Sequence, residues 1–442
     1  MNSEKPSARK KLGLWMCTAL VMGNMIGSGI YLLPASLGPF GGISIVGWLV
    51  SAAGSIVLAI IFARLSGIVL KSGGPYAFTH AGYGDFAGFL IAWGYWICIW
   101  TTNAAITVAL VSYLSLFVPP LASNNMLAAG AGLGFIWLLT WVNILGVHTA
   151  GRVQLVTTIL KVLPLAAIIL FGIFHIELQH FTPFNASDRT PLSAVTATVA
   201  LTLWAFTGLE CGSVPSDDVE NPGVTKARAT IIGTLATAAV YILGTVVVMG
   251  VIPSSELATS NAPFADAASR LWGNWAGYAV GIGACVSCFG ALNGWLLMQG
   301  QIPLAAARDG LFPAEFGKLS KYGTPARGMV ISSLLVSALL VTNYSKTLVE
   351  QFTFIILLAT LNTLIPYVFC SLAEIMIALR DPARARIPPA KSALLLGAVG
   401  FLYSMWAIGG AGQEVIYWGF LLLMAGVPVY VWLQWTRSRS AS

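Results

Sequence analysis

The chain has 442 residues, 57% of them hydrophobic and only 9% charged, with a net charge of +7 and a mean hydropathy of +0.81. A soluble domain carries about 25% charged residues, so polar groups cannot cover this surface and lipid must solvate part of it. The positive charge is scattered over short connections, without the basic stripe and interleaved aromatics that nucleic acid requires.

In chain order, apolar runs long enough to cross roughly 30 Å of hydrocarbon, about 20 residues each, predict twelve transmembrane helices. The first five cover 13–37, 42–65, 86–118, 126–146 and 152–174. The next five cover 193–213, 227–252, 274–306, 328–343 and 349–378, and the last two 391–410 and 414–436. The basic stretch from Lys5 to Lys11 and the apolar run after it look like a signal peptide. The run continues into Pro34 and a second span, however, and reads as a retained first helix.

Twelve spans put both termini on one side, and cytoplasmic loops carry the excess of Lys and Arg. Of the 23 Lys and Arg residues, only Arg189, Arg270 and Lys346 then fall outside, and Lys161 within a span. The expectation is an all-α polytopic membrane protein with both termini cytoplasmic. The longest connections, near 175–192 and 307–327, are too short to fold as separate domains.

The first helix is interrupted at Gly27-Ser28-Gly29, and the sixth at Thr207-Gly208-Leu209-Glu210. Each glycine weakens a helix by about 1 kcal/mol. A broken backbone survives at membrane depth only where it lines a protein-enclosed or watery cavity. Paired interruptions five spans apart predict inverted repeats over 13–174 and 193–378, with 391–436 as two extra helices and a site between the breaks. At the first break, free amide N–H groups and the positive end of the following half-helix suit a carboxylate. Gly23 and Gly27 also have the GxxxG spacing of closely packed helices.

Two charged residues fall in apolar spans. Glu210 is a functional candidate because a carboxylate at mid-membrane costs roughly 2.5–3.5 kcal/mol; it suits a proton carrier, a gate acceptor or a cation attractor. Lys161 suits an internal cation or proton site, or it snorkels to the interface. Of the many aromatics, those near polar intramembrane residues (Asn103, Glu210, Asn293) are the best candidates, since an aromatic face beside a carboxylate suits a cation. Cys285 and Cys288 have CxxC spacing but sit in a long apolar helix without a second pair, and read as packing residues. His80, His148, His175 and His180 form no HExxH or comparable spacing. No metal or cofactor motif is visible, and an enzyme is not expected.

Several segments together carry a resemblance along essentially the whole chain. They are Gly23-Asn24-Met25-Ile26-Gly27-Ser28-Gly29, Gly73-Gly74-Pro75-Tyr76-Ala77, Leu203 to Glu210, Val219-Glu220-Asn221-Pro222 and Ala306 to Pro313. The chain resembles the amino acid–polyamine–organocation superfamily, and within it the basic amino acid/polyamine antiporters, particularly those exchanging arginine for agmatine. The resemblance implies a bacterial inner-membrane antiporter working by alternating access, with an amino acid or amine as its small-molecule partner, lipid around it, and a homodimer formed through the last two helices. By that similarity Asn24, Ile26, Ser28 and Gly29 hold the substrate α-carboxylate, and carbonyls of the sixth helix near Thr207 take the α-amino group. Trp204 covers the site, Trp295 stacks on the substrate side chain and Asn103 bonds its distal end. Tyr95, Glu210 and Tyr367 form an outer gate, and Tyr76 contributes on the inner side.

Two positions differ from the arginine-exchanging pattern. Lys161 looks like the fifth-helix lysine of proton-coupled permeases and neutral amino-acid exchangers of the same superfamily. Ala359 stands where a small hydroxyl residue would help hold a guanidinium. The alternative is proton-coupled uptake of neutral amino acids, with Lys161 as the proton site.

Overall fold

The first helix breaks where its glycines predict. In the computed structural model, which describes residues 13–69, 73–146, 163–209, 222–343, 345–381 and 391–441, α1 (Leu14–Met25) stops and Ile26 turns extended at φ −71°, ψ 94°. The helix restarts as α2 (Gly29–Leu37). Gly41, at φ 69°, turns the chain into α3 (Ser44–Ile68).

Next come α4 (Pro75–Tyr83), α5 (Asp85–Leu114), α6 (Asn125–Ile144), α7 (Leu163–His175) and α8 (Pro191–Leu203). After them run α9 (Pro222–Val251), α10 (Pro263–Trp272), α11 (Asn274–Arg308) and α12 (Ala326–Thr342). The chain ends in α13 (Leu348–Arg380), α14 (Lys391–Ile408), α15 (Gln413–Met424) and α16 (Gly426–Ala441). Eight apolar helical stretches among the described residues are long enough to cross a membrane, and four shorter apolar helices accompany them. Every predicted span has a helical counterpart. The first part of 152–174 and the end of 193–213 lie outside the described residues.

Helix starts follow local chemistry. Thr347 and Glu350 form a reciprocal capping box at the start of α13, satisfying two donors that helix geometry leaves free. Proline opens α4, α8 and α10, where its missing N–H costs nothing.

Among the described helices of eight residues or more, two were not predicted. Both α4 and α10 are short, begin at a proline and run through one glycine straight into a long helix. That glycine is Gly84 at φ 92°, ψ −170° in one case and Gly273 at φ 90°, ψ 170° in the other. Only glycine adopts such a backbone routinely, so each corner is set by one residue. Periodicity misses them because they are too short for a span.

The helices pack in two groups. α1 packs on α9, α9 on α3 and α3 on α8, while α5, α6, α11 and α12 pack among themselves. α13 lies along α5 and also touches α4 and α14. α5 is enclosed over nearly its whole length, whereas α14 to α16 leave large apolar side chains such as Leu395, Trp418 and Trp432 exposed. On a chain this apolar, those faces meet lipid.

Candidate functional site

The breaks of the two interrupted helices meet. A cavity of about 20 Å³ lies between Gly27, Ser28 and Gly29 on one side, and Trp204 and Thr207 on the other, with Trp295 of α11 beside them. That volume holds about one water, so an amino acid enters only when the aromatic side chains move apart.

Local chemistry builds each break. At the end of α1, the Ile26 N–H donates to the Met22 carbonyl at 2.8 Å, and the Met25 carbonyl accepts from the Tyr241 hydroxyl at 2.6 Å. Asn24 lies in the last turn of α1, and Ile26 is fully buried. The first N–H groups of a helix have no intrahelical acceptor, so the start of α2 presents donors and a positive dipole end to the cavity. Ser28, just before it, has a buried hydroxyl without a hydrogen-bond partner. A carboxylate answers both features.

At the other break, α8 ends at Leu203, Trp204–Phe206 tighten into a 3₁₀ turn, and Thr207 leaves the helix at ψ 139°. Gly208 follows at φ 100°. The Thr207 hydroxyl and N–H both donate to the Trp204 carbonyl, at 2.7 and 3.0 Å, which fixes the turn that carries the indole. The Trp204 ring meets Phe352 of α13 edge-on, centroids 5.4 Å apart at 89°. It also presses on Gly29, where a Cβ would stand 3.1 Å from the ring. Gly29 is therefore a close-approach residue as well as a helix start.

Asn103 is completely buried. Its Nδ2 donates to Gln299 Oε1 at 2.8 Å, and its Oδ1 has no partner. Thr102 and Ile106, on the same helix, border the cavity itself. Sequence reasoning passed over both, because a threonine and an isoleucine in an apolar span carry no signal of their own. Asn293 serves helix packing, accepting from Asn143 Nδ2 at 2.8 Å.

Tyr95 and Tyr367, expected to gate the site, lie on α5 and α13, the two long helices that pack against α4. Tyr367 meets Phe62 edge-on at 5.2 Å, and Phe62 lies 6.2 Å from Phe78 of α4. Tyr95 packs with Cys98, Ile99 and Ile302, and Trp295 and Met298 lie against this cluster. Along α13, Tyr367 is fifteen residues past Phe352, about 22 Å at 1.5 Å per residue. Depth along a helix is fixed by counting from its end, and both tyrosines fall in the halves of α5 and α13 that reach α4. Tyr76 itself is buried with an unpartnered hydroxyl. Glu210 and Lys161 lie outside the described residues.

The amino acid permease family matches residues 12–434 of this chain. The chain belongs to that family. This permease is accordingly an integral membrane transport protein, and its twelve helical spans are those of the family's twelve-helix fold. It is similar to the cadaverine/lysine antiporter of Escherichia coli (strain K12), 37% identical over 337 residues, 76% of this chain and 75% of that protein. It is 32% identical to the putrescine transporter PotE of the same strain over 424 residues, 95% of each chain. PotE of Haemophilus influenzae is 31% identical over 423 residues, 95% of this permease and 96% of that protein.

Proposed function

We propose that this permease is an antiporter of the bacterial inner membrane, exchanging a cationic amino acid for its amine or another amino acid by alternating access. The observation that carries the reading is the meeting of two broken helices around one buried cavity, in a chain similar to transporters named for lysine, cadaverine and putrescine. The α-carboxylate binds at the start of α2, among Asn24, Ile26, Ser28 and Gly29. Trp204 and Thr207 cover it, and Trp295 lies along the substrate's chain. Tyr76, Tyr95, Glu210 and Tyr367 serve as gating residues. Both termini are cytoplasmic, and residues 13–174 and 193–378 form the two inverted repeats.

The distal group is a primary ammonium rather than a guanidinium. Ala359, fully buried in α13, offers no hydroxyl to the extra N–H donors of a guanidinium, whereas an ammonium is a compact charge with three donors. The aromatic faces of Trp204 and Trp295 suit a cation.

The test is uptake of labelled lysine into proteoliposomes with the lumen empty or loaded with lysine, cadaverine, putrescine or arginine. Uptake that requires a loaded lumen, strongest with lysine or a diamine, is the expected result. Uptake of neutral amino acids into empty vesicles, driven by a proton gradient, would overturn it in favour of a proton-coupled permease using Lys161.

A further inference from the structure

Asn103 ends a chain of hydrogen bonds whose proton directions are all fixed. At the far end the Thr140 hydroxyl donates to the Ile136 carbonyl at 2.7 Å. A carbonyl only accepts, so Thr140 Oγ1 must accept the proton of Ser333, 2.7 Å away. Ser333 Oγ in turn accepts from Gln299 Nε2 at 2.9 Å, and the same Nε2 donates to the Met329 carbonyl at 3.2 Å. Two acceptor-only carbonyls thus hold the Gln299 amide in one orientation, with Oε1 turned to Asn103 Nδ2 at 2.8 Å. Gln299 and Asn103 are both fully buried, and Asn103 Oδ1 is left without a partner.

We infer that Gln299 is a positioning residue for selectivity: it orients the Asn103 amide so that an oxygen, and not an NH2, is offered to the distal end of the substrate. Asn103 is three residues from Ile106, which borders the cavity, and residues three apart share a helix face. An unpaired buried acceptor favours a group that donates and is neutral or repulsive to one that accepts or is apolar. Without Gln299 the Asn103 amide turns over freely and the preference for an ammonium fades. Gln299, Ser333 and Thr140 belong to α11, α12 and α6, so selectivity is anchored in the helix group that holds α5. The inference rests on the cationic-substrate reading above.

The experiment compares lysine with norleucine, which has the same four-carbon side chain without the ammonium, as competitors of labelled lysine in exchange by purified protein in liposomes. In Gln299→Met, of similar length and without polar N–H or C=O, the lysine-to-norleucine preference should fall roughly tenfold, the change lying in KM rather than in maximal rate. In Gln299→Glu, a buried and therefore protonated carboxyl can donate to Met329 and still accept from Asn103. It should keep the native preference within about twofold, a rescue that packing alone does not explain. An unchanged preference in Gln299→Met, or an equal fall in both variants, would overturn the inference. Should Gln299→Met not fold, Thr140→Val, which removes one of the two anchors and leaves the Met329 carbonyl, should move the preference in the same direction by a smaller factor, and no shift there would count against the inference. Native protein that exchanges no cationic substrate fails the functional reading instead, which separates the two.

Discussion

The Tyr241 hydroxyl donates a 2.6 Å hydrogen bond to the backbone carbonyl of Met25, the last residue of α1. Breaking a helix frees carbonyls that lipid cannot satisfy, and a side chain of α9 supplies one missing donor here. Tyr241→Phe keeps the ring contacts with Trp48 and Phe206 but removes the donor. We expect a loss of about 1–3 kcal/mol, the usual cost of a buried unsatisfied group. Thermal unfolding in detergent checks it, and an unchanged melting point would show that the break needs no such cap.

Gly29 and Gly27 differ in what a methyl group would meet. At Gly29 a Cβ lies 3.1 Å from the Trp204 ring and 3.4 Å from Ala205 Cβ, whereas at Gly27 it meets only Ala291 Cβ and the Met25 carbonyl at ordinary distances. Gly29→Ala should displace the indole and cut exchange roughly tenfold, about 1.4 kcal/mol. Gly27→Ala should lose markedly less. Initial exchange rates decide, and equal losses would count against a specific role for the Gly29–Trp204 contact.

Arg64 of α3 and Glu374 of α13 form a two-point pair at 2.8 and 2.6 Å. Their side chains are only 32% and 17% exposed, so solvent screens the pair less than it would a surface pair. Glu374→Gln should destabilise the protein by about 1 kcal/mol, the upper end for exposed pairs. Arg64→Lys should recover little, because lysine lacks the planar fork. Melting points of the two variants test this.

Burial raises the carboxyl of Asp266, on α10, above its ordinary range, with Glu256 adding to the rise; the Ser260 hydrogen bond and nearby Arg270 act against it. A carboxyl raised in the folded state contributes stability below its ordinary pKa and loses it as the pH climbs through the raised value. Asp266→Asn still accepts from Ser260 and carries no charge. Below about pH 4 it should melt with the native protein, and at neutral pH and above it should melt higher. A lower melting point at every pH would contradict that sign.

Much of the architecture was legible because lipid leaves few solutions: an apolar run of sufficient length must be a helix. The break at Gly27-Ser28-Gly29 was readable for the same reason, since three glycines at membrane depth need a cavity. Side-chain partners were not readable. Asn103 was picked out as polar, yet its bond to Gln299 joins residues 196 positions apart. The α4 and α10 corners were hidden by brevity, although Gly84 and Gly273 mark both.

Those two corners have a consequence for motion. Each is a proline-led short helix hinged by one glycine at nearly the same dihedral angles, one in each proposed repeat. Two counterparts of unlike environment can exchange their shapes: the segment around Gly84 can take the arrangement now seen around Gly273, and the reverse. In the proposed alternating-access cycle, the opposite-facing conformer would be obtained by threading each proposed repeat onto the coordinates of the other. With one pair of spin labels across each corner, on α4 and α5 and on α10 and α11, one distance would shorten as the other lengthens during turnover.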